Sequence, residues 1–212
     1  MYIPPAFRVE DTASIHAAIR AARLASFVTA TTDGVIATPL PLLLDATEGP
    51  HGVLYGHVAR ANPQWSAPAI GDAMAIFMGP DAYITPSWYA TKRETEKVVP
   101  TWNYVAVHAY GPVEFFEDAS RLLDVVTRLT NHHEKALTEQ SGAKAWSVSD
   151  APETFIQAQL RGIVGLRMPI TRLEGKRKMS QNRNAADRKG VVEGLTASDS
   201  AVDRAVADLI PG

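Results

Sequence analysis

The sequence predicts a mainly β fold of the α+β kind, a small antiparallel barrel with helices packed around it. Two observations carry that expectation. Short apolar runs, six or seven of them, recur along the chain with Gly, Pro, Asn and Asp between them. Few stretches keep the i, i+3, i+4 spacing of an amphipathic helix. At 212 residues the chain is long enough to bury a sizeable core.

The elements read in order as follows. After the opening "MYIPPAF", Asp11 or Thr12 is placed to cap a helix reaching about Leu24, with Ile15, Ala18, Ile19 and Ala22 on its apolar face. "SFVTATTDGVIATPLPLLLD" then reads as strand, Asp33-Gly34 turn, strand. Pro39 and Pro41 alternate in the second strand. Proline cannot donate to a ladder, so one edge there is expected to lack strand pairing or to face a ligand. Further strands are expected at 53–58, 73–79, 99–110 and 112–117, the last two joined at Gly111-Pro112. Residues 118–137 read as a helix with Leu122, Val125, Val126 and Leu129 on one face, and His133 continues that stripe as a partly buried packing residue. A shorter helix is expected at Glu153–Leu160. "GIVGLRMPITRLEG" alternates Val164, Leu166, Met168 and Ile170, the pattern of one long strand. From Asn182 the tail is polar and helical, ending in an amphipathic segment near Ala201–Ile210. With no repeat or linker, residues 1–212 are expected to form a single domain with a helical C-terminal extension from about 182.

Composition removes several classes of function. There is no cysteine, hence no disulfide and no thiolate chemistry. The net charge of −2 argues against a broad, sequence-independent grip on nucleic acid, though a local basic patch remains compatible with it. No apolar run approaches membrane-spanning length, and the N-terminus lacks the pattern of a secretory signal, so the cytoplasm is the expected location.

Three constellations stand out. In "YGHVARANPQW" a strand ends in His57, with Arg60, Asn62 and an Asn-Pro helix opener close behind. Free amides at a helix start, beside an arginine fork, suit an anion; the alternative is a turn with solvated polar residues. Residues 79–111 gather Tyr83, Trp88, Tyr89, Trp102 and Tyr104 beside Ser87, Lys97, Thr101 and Asn103. Such a surface can stack on a flat ring, or it can be core plus a dimer contact. Residues 174–190, "EGKRKMSQNRNAADRKG", form the most basic stretch, which suits a phosphate, a nucleic acid backbone, or merely a solvated loop. Within it, Ser180-Gln181-Asn182 can donate and accept hydrogen bonds along a heterocycle edge or a sugar chain. A metal site is not expected, because His132 and His133 are adjacent and diverge by about 100° on a helix, and no HExxH-like spacing exists. No Gly-x-Ser-x-Gly turn or phosphate-cradling glycine loop is present either. Donors and aromatics without an acid–base pair suit a cofactor that brings its own reactivity.

The stretches "MYIPPAF", "YGHVARANPQW", "GPDAYITPSWY", "KVVPTWNYVAVHAYG" and "KMSQNR", in this order over residues 1 to about 195, resemble the PaiB-type FMN-binding transcriptional regulators. These form a branch of the FMN-binding split-barrel superfamily. The resemblance implies a six-stranded antiparallel split β-barrel with peripheral helices and a homodimer with FMN at its interface. It implies that His57, Val58, Ala59 and Arg60 grip the phosphate, with Asn62 and Gln64 opening the next helix. Thr38, Pro39 and Leu40 would run along the flavin. Trp88, Trp102 and Asn103 would cover the ring, and Lys178, Ser180 and Gln181 would reach it or the ribityl chain. The turn His-Val-Ala-Arg departs from the superfamily's usual Ser/Thr with Lys or Arg, which points to modest FMN affinity. The function implied is a negative transcriptional regulator with DNA as a further partner, and no catalytic residue is assigned. The alternative is a flavin-dependent oxidoreductase or a haem-handling relative.

Overall fold

The structure, a computed structural model, describes residues 1–212, the side chain of Gln140 apart. Ten strands and six α-helices alternate along the chain. They are β1 (Arg8–Val9), α1 (Thr12–Ala21), β2 (Ala25–Thr31), β3 (Gly34–Leu40), β4 (Leu43–Asp45), β5 (Val53–Ala59), β6 (Ala73–Ile84) and α2 (Ala90–Thr95). They continue with β7 (Thr101–Gly111), β8 (Glu114–Phe116), α3 (Ala119–Ser141), α4 (Glu153–Leu160), β9 (Ile163–Pro169), β10 (Arg172–Lys178), α5 (Ala185–Thr196) and α6 (Ala201–Ala207). The strand orders are β1-β10-β7-β6-β2-β3 in a six-stranded sheet and β4-β5-β9-β8 in a four-stranded one. The fold is mixed α+β and built on antiparallel pairing, as the alternation requires.

The chain forms two compact units, one of residues 1–22, 77–108 and 174–212, the other of 23–76 and 109–173. In the first, Asp11 caps α1, its carboxylate accepting the Ser14 N–H at 2.8 Å. Its core joins Ala82, Ile84, Tyr89 and Met179 to Val191, Leu195 and Val206 of α5 and α6. Trp88 packs on α5, where a Cβ on Gly194 would come within 2.3 Å of the indole. Glycine costs about 1 kcal/mol inside a helix, and here it makes room for the ring.

In the second unit β2 and β3 form the expected hairpin, but Thr31 pairs with Gly34, so the two turn residues are Thr32 and Asp33. Gly34, at φ +129°, starts the next strand. β3 ends the order of its sheet, the edge position that Pro39 and its missing N–H require. β5 pairs with β9 along seven residues, from Val53↔Pro169 to Ala59↔Ile163. α3 covers this unit's core with Leu122, Val125 and Leu129, against Phe116 and Leu160. His133 is exposed, so the apolar stripe of α3 ends before it.

The expected long strand over 162–175 is two strands, β9 and β10, in different sheets. Pro169 closes β9, and the Ile170 and Thr171 amides turn away to the carbonyls of Gly52 and Tyr110. Alternation records which side chains are buried. It says nothing of which sheet receives them.

Candidate functional site

The residues singled out in the sequence fall into two groups, one in each unit. In the second unit, Asn62 accepts the Gln64 N–H at 2.9 Å and so starts the short 3-10 turn Pro63–Trp65. Gln64 is fully buried; its amide nitrogen points to Thr29 Oγ1 at 3.0 Å and to the carbonyls of Phe27 and Ile36 at 3.3 Å. Its oxygen accepts the Thr38 hydroxyl at 2.6 Å, and Thr38 accepts from Asn62 Nδ2 at 2.9 Å. Thr38, Asn62 and Gln64 therefore do meet, with their polar atoms spent largely on one another. They tie β3 to the turn after β5. Pro39 is exposed opposite Ser26, and Leu40 is buried.

His57 lies on β5 opposite Gly165, on the side of the strand shared by Tyr55 and Ala59, while Val58 points into the core. Its Nδ1 is buried without a partner, and burial pushes its pKa below the ordinary histidine value. This is a neutral imidazole, unsuited to being the cation of a phosphate grip. Arg60 is clamped. Its N–H donates to Gly162 O at 2.8 Å, its Nε to Arg161 O at 2.7 Å, its Nη2 to Ile163 O at 3.3 Å, and its Nη1 pairs with Glu117. Most of the fork expected to hold an anion is engaged by the chain itself.

In the first unit β7 and β10 set the stage. Strand alternation puts Asn103 and Val105 on one side of β7, with Trp102 and Tyr104 on the other. Asn103 is buried and exchanges hydrogen bonds with the buried Ser180, Nδ2 to Oγ at 3.0 Å and Oγ to Oδ1 at 3.2 Å. Gln181 folds back on β10, accepting the Met179 N–H at 2.6 Å and donating to Arg177 O. These polar residues shape the end of β10. Trp88 and Tyr89 belong to the core rather than to an open surface.

The other side of the sheet is different. Tyr83 and Trp102 meet edge to face at 5.8 Å and stay about half exposed, at 48% and 53%. Lys176, only 7% exposed, lies over the Tyr104 ring at 4.9 Å and donates to Tyr2 O at 3.2 Å. Lys178 donates to Trp102 O at 2.6 Å and to the Thr101 hydroxyl. Its pKa is lowered by burial first, then by repulsion from Lys176 and Arg183. Aromatic rings with half-buried ammonium groups suit a flat ring that carries negative charge. Of the residues expected at a cofactor, Trp102 and Lys178 share this open face, and Tyr83, Tyr104 and Lys176 join them.

A cleft of about 490 Å³ in the second unit escaped the sequence reading. Arg121, Arg128 and Arg167 line it around Tyr55 and Phe116. Each has a carboxylate, Arg121 with Glu114 at 2.7 Å, Arg128 with Asp45 at 2.5 Å and Arg167 with Glu48 at 3.1 Å. The cleft is thus a set of ion pairs, two of which, Arg128–Asp45 and Arg167–Glu48, join residues far apart in sequence that no local motif announces.

Residues 1–172 match the family described as "Putative FMN-binding domain". The chain is 32% identical over 211 residues to the protease synthase and sporulation protein PAI 2 of Bacillus subtilis, spanning 99% of this chain and 96% of that one. An uncharacterized protein of Aspergillus fumigatus is 36% identical over 210 residues, 81% of this chain and 80% of its own. Among solved structures, the flavocytochrome Anf3 of Azotobacter vinelandii superposes with a TM-score of 0.56 at 13% identity, over 81% of this chain and 69% of that one. The FAD and heme binding protein of Mycobacterium smegmatis gives 0.54 at 12%, over 81% and 73%. At such identities these two speak for the fold alone. The near-complete match to PAI 2 and the family match together place the chain in the PaiB-type FMN-binding family, and FMN is its cofactor.

Proposed function

We propose that the chain works as a homodimer that holds FMN and acts as a negative regulator of transcription, with flavin occupancy as its signal. The observation that carries the flavin part is the face where the half-exposed rings of Tyr83 and Trp102 lie beside Tyr104, Lys176 and Lys178. Rings and cations together suit a flat ring that carries an anionic group on a side chain. The support for dimerisation is the set of large apolar side chains the first unit leaves exposed, Tyr2, Tyr83, Val99 and Trp102 among them, which a second copy would cover. The regulatory role is supported by the near full-length similarity to PAI 2, whose name concerns protease synthesis and sporulation. Mobility shifts on the gene's own upstream DNA, with and without FMN, test it. A salt-sensitive shift that changes with FMN is expected.

One observation favours a second reading, a flavin-dependent oxidoreductase. Several cations of the basic stretch are engaged by the chain itself. Lys176 is buried, Arg177 donates to Leu209 O, and Arg188 donates to the carbonyls of Arg183, Pro211 and Gly212. Its exposed cations are Arg177 and Lys189, fewer than the sequence offers to a phosphate backbone. Rapid bleaching of bound flavin by NADH, with no DNA shift in either state, would establish this reading over the first.

A further inference from the structure

Strand β10 carries an uncompensated pair of cations. Lys176 and Lys178 are two residues apart and therefore on the same side of the strand. Neither has a carboxylate among the described residues. Lys176 is held by one carbonyl and by the rings of Tyr104 and Tyr2, at 4.9 and 5.9 Å. Lys178 is held by a hydroxyl and a carbonyl. Removing an ammonium from water is costly unless a counter-charge or several hydrogen bonds replace the solvent. Each lysine offers three N–H donors, and the partners just named leave part of that capacity unused. Two other enclosed basic residues, Arg128 and Arg167, sit against acids, whereas the half-buried Arg183 lies over the Tyr89 ring beside this pair. A fold that neutralises those arginines and leaves this pair bare beside two half-exposed aromatic rings has left room for an anion from outside.

We propose that Lys176 and Lys178 together receive the negative charge of the bound cofactor, while Tyr83 and Trp102 lie against its flat body. This rests on the FMN reading and adds the residues that meet the charge. The pair also accounts for the second side of the face. Arg183 lies over the Tyr89 ring at 4.5 Å and adds to the positive field at Lys178. FMN carries its negative charge on the phosphate, while the carbonyl edge of its oxidised ring is polar and uncharged, and riboflavin retains only that edge.

The test titrates FMN and riboflavin into the wild-type protein and into Lys176→Met, Lys178→Gln and Lys178→Arg, followed by flavin fluorescence. Losing one charge-assisted contact is expected to weaken FMN binding roughly 10- to 100-fold, with Lys178→Arg much closer to wild type. If the loss is confined to FMN, the pair meets the phosphate. An equal loss for riboflavin places it at the uncharged ring edge and overturns the contact with the cofactor's charge. Thermal melting of each variant separates lost binding from lost folding, and a folded Lys178→Gln with wild-type affinity for both flavins overturns the proposal. If the wild-type protein binds neither flavin, the FMN reading itself falls and takes the proposal with it.

Discussion

Asn103 and Ser180 lie 77 residues apart in sequence and hydrogen-bond each other in both directions, deep in the first unit. The pair joins β7 to the end of β10, and Ser180 holds a left-handed backbone, φ +60°, to make it. Non-glycine residues visit that region at a cost, so the hydrogen bonds outweigh the strain. The serine of "KMSQNR" is thus a fastener for the strand that carries Lys176 and Lys178.

Two substitutions at Ser180 separate its backbone role from its hydroxyl. Ser180→Ala loses the hydrogen bonds and keeps the strain, and is expected to destabilise by about 1–3 kcal/mol as the buried Asn103 amide loses its partner. Ser180→Gly loses the same bonds but adopts positive φ freely, so it should cost less than the alanine variant. Urea unfolding of both measures the order. Equal costs would mean that the backbone carries no strain.

Much of the fold was legible because it is local. The Asp11 cap, the β2–β3 hairpin and α4 at Glu153–Leu160 follow from neighbouring residues, and Pro39 marked its edge strand through a missing donor. The switch of sheets after Pro169 was not legible, since Val164, Leu166, Met168 and Ile170 are all buried whether one strand holds them or two elements do. Trp102 and Lys178 were singled out by residue type, and the structure brings them together through the Lys178 hydrogen bond to Trp102 O. The engagement of Arg60 was hidden because its partners Glu117, Arg161 and Ile163 lie far along the chain, and so were the carbonyls that occupy Arg177 and Arg188.

His57 makes stability depend on pH. Its folded pKa is lowered by burial, while in the unfolded chain it titrates near its ordinary value of about 6.5. Between those two values the unfolded state binds more protons, so stability falls as pH drops, by up to about 1.4 kcal/mol per pH unit from this group. Stability is fully kept above the unfolded value. His57→Gln should flatten the decline just below neutrality in denaturant midpoints measured across pH. An identical slope in wild type and variant would contradict a buried neutral imidazole.

Gly165 faces His57 across the β5–β9 ladder and lies under the Phe116 ring, where a Cβ would meet the ring at 2.4 Å. Gly165→Ala should therefore cost about 1–3 kcal/mol by overpacking. Phe116→Leu, added to it, should cost less than the sum of the two single changes, because the ring that clashes is gone. A double-mutant cycle by urea unfolding checks this, and strict additivity would refute the contact.

Arg60 is expected to be a clamp on the turn after α4. Arg60→Ala should shift FMN affinity by less than about threefold, whereas a lost charge-assisted contact to the cofactor would cost one to two decades, about 1.5–3 kcal/mol. Calorimetry with FMN decides, and a loss of a decade or more would return the phosphate to the mouth of β5.

This chain is expected to bind FMN on the face that Trp102, Lys176 and Lys178 build. The direct measurement is a visible-absorbance titration of FMN with purified wild-type protein beside a folded Trp102→Ala variant. The expected result is a perturbed flavin spectrum that saturates at one FMN per chain in the wild type and is weakened in the variant. A flavin spectrum unchanged by excess wild-type protein would contradict the claim.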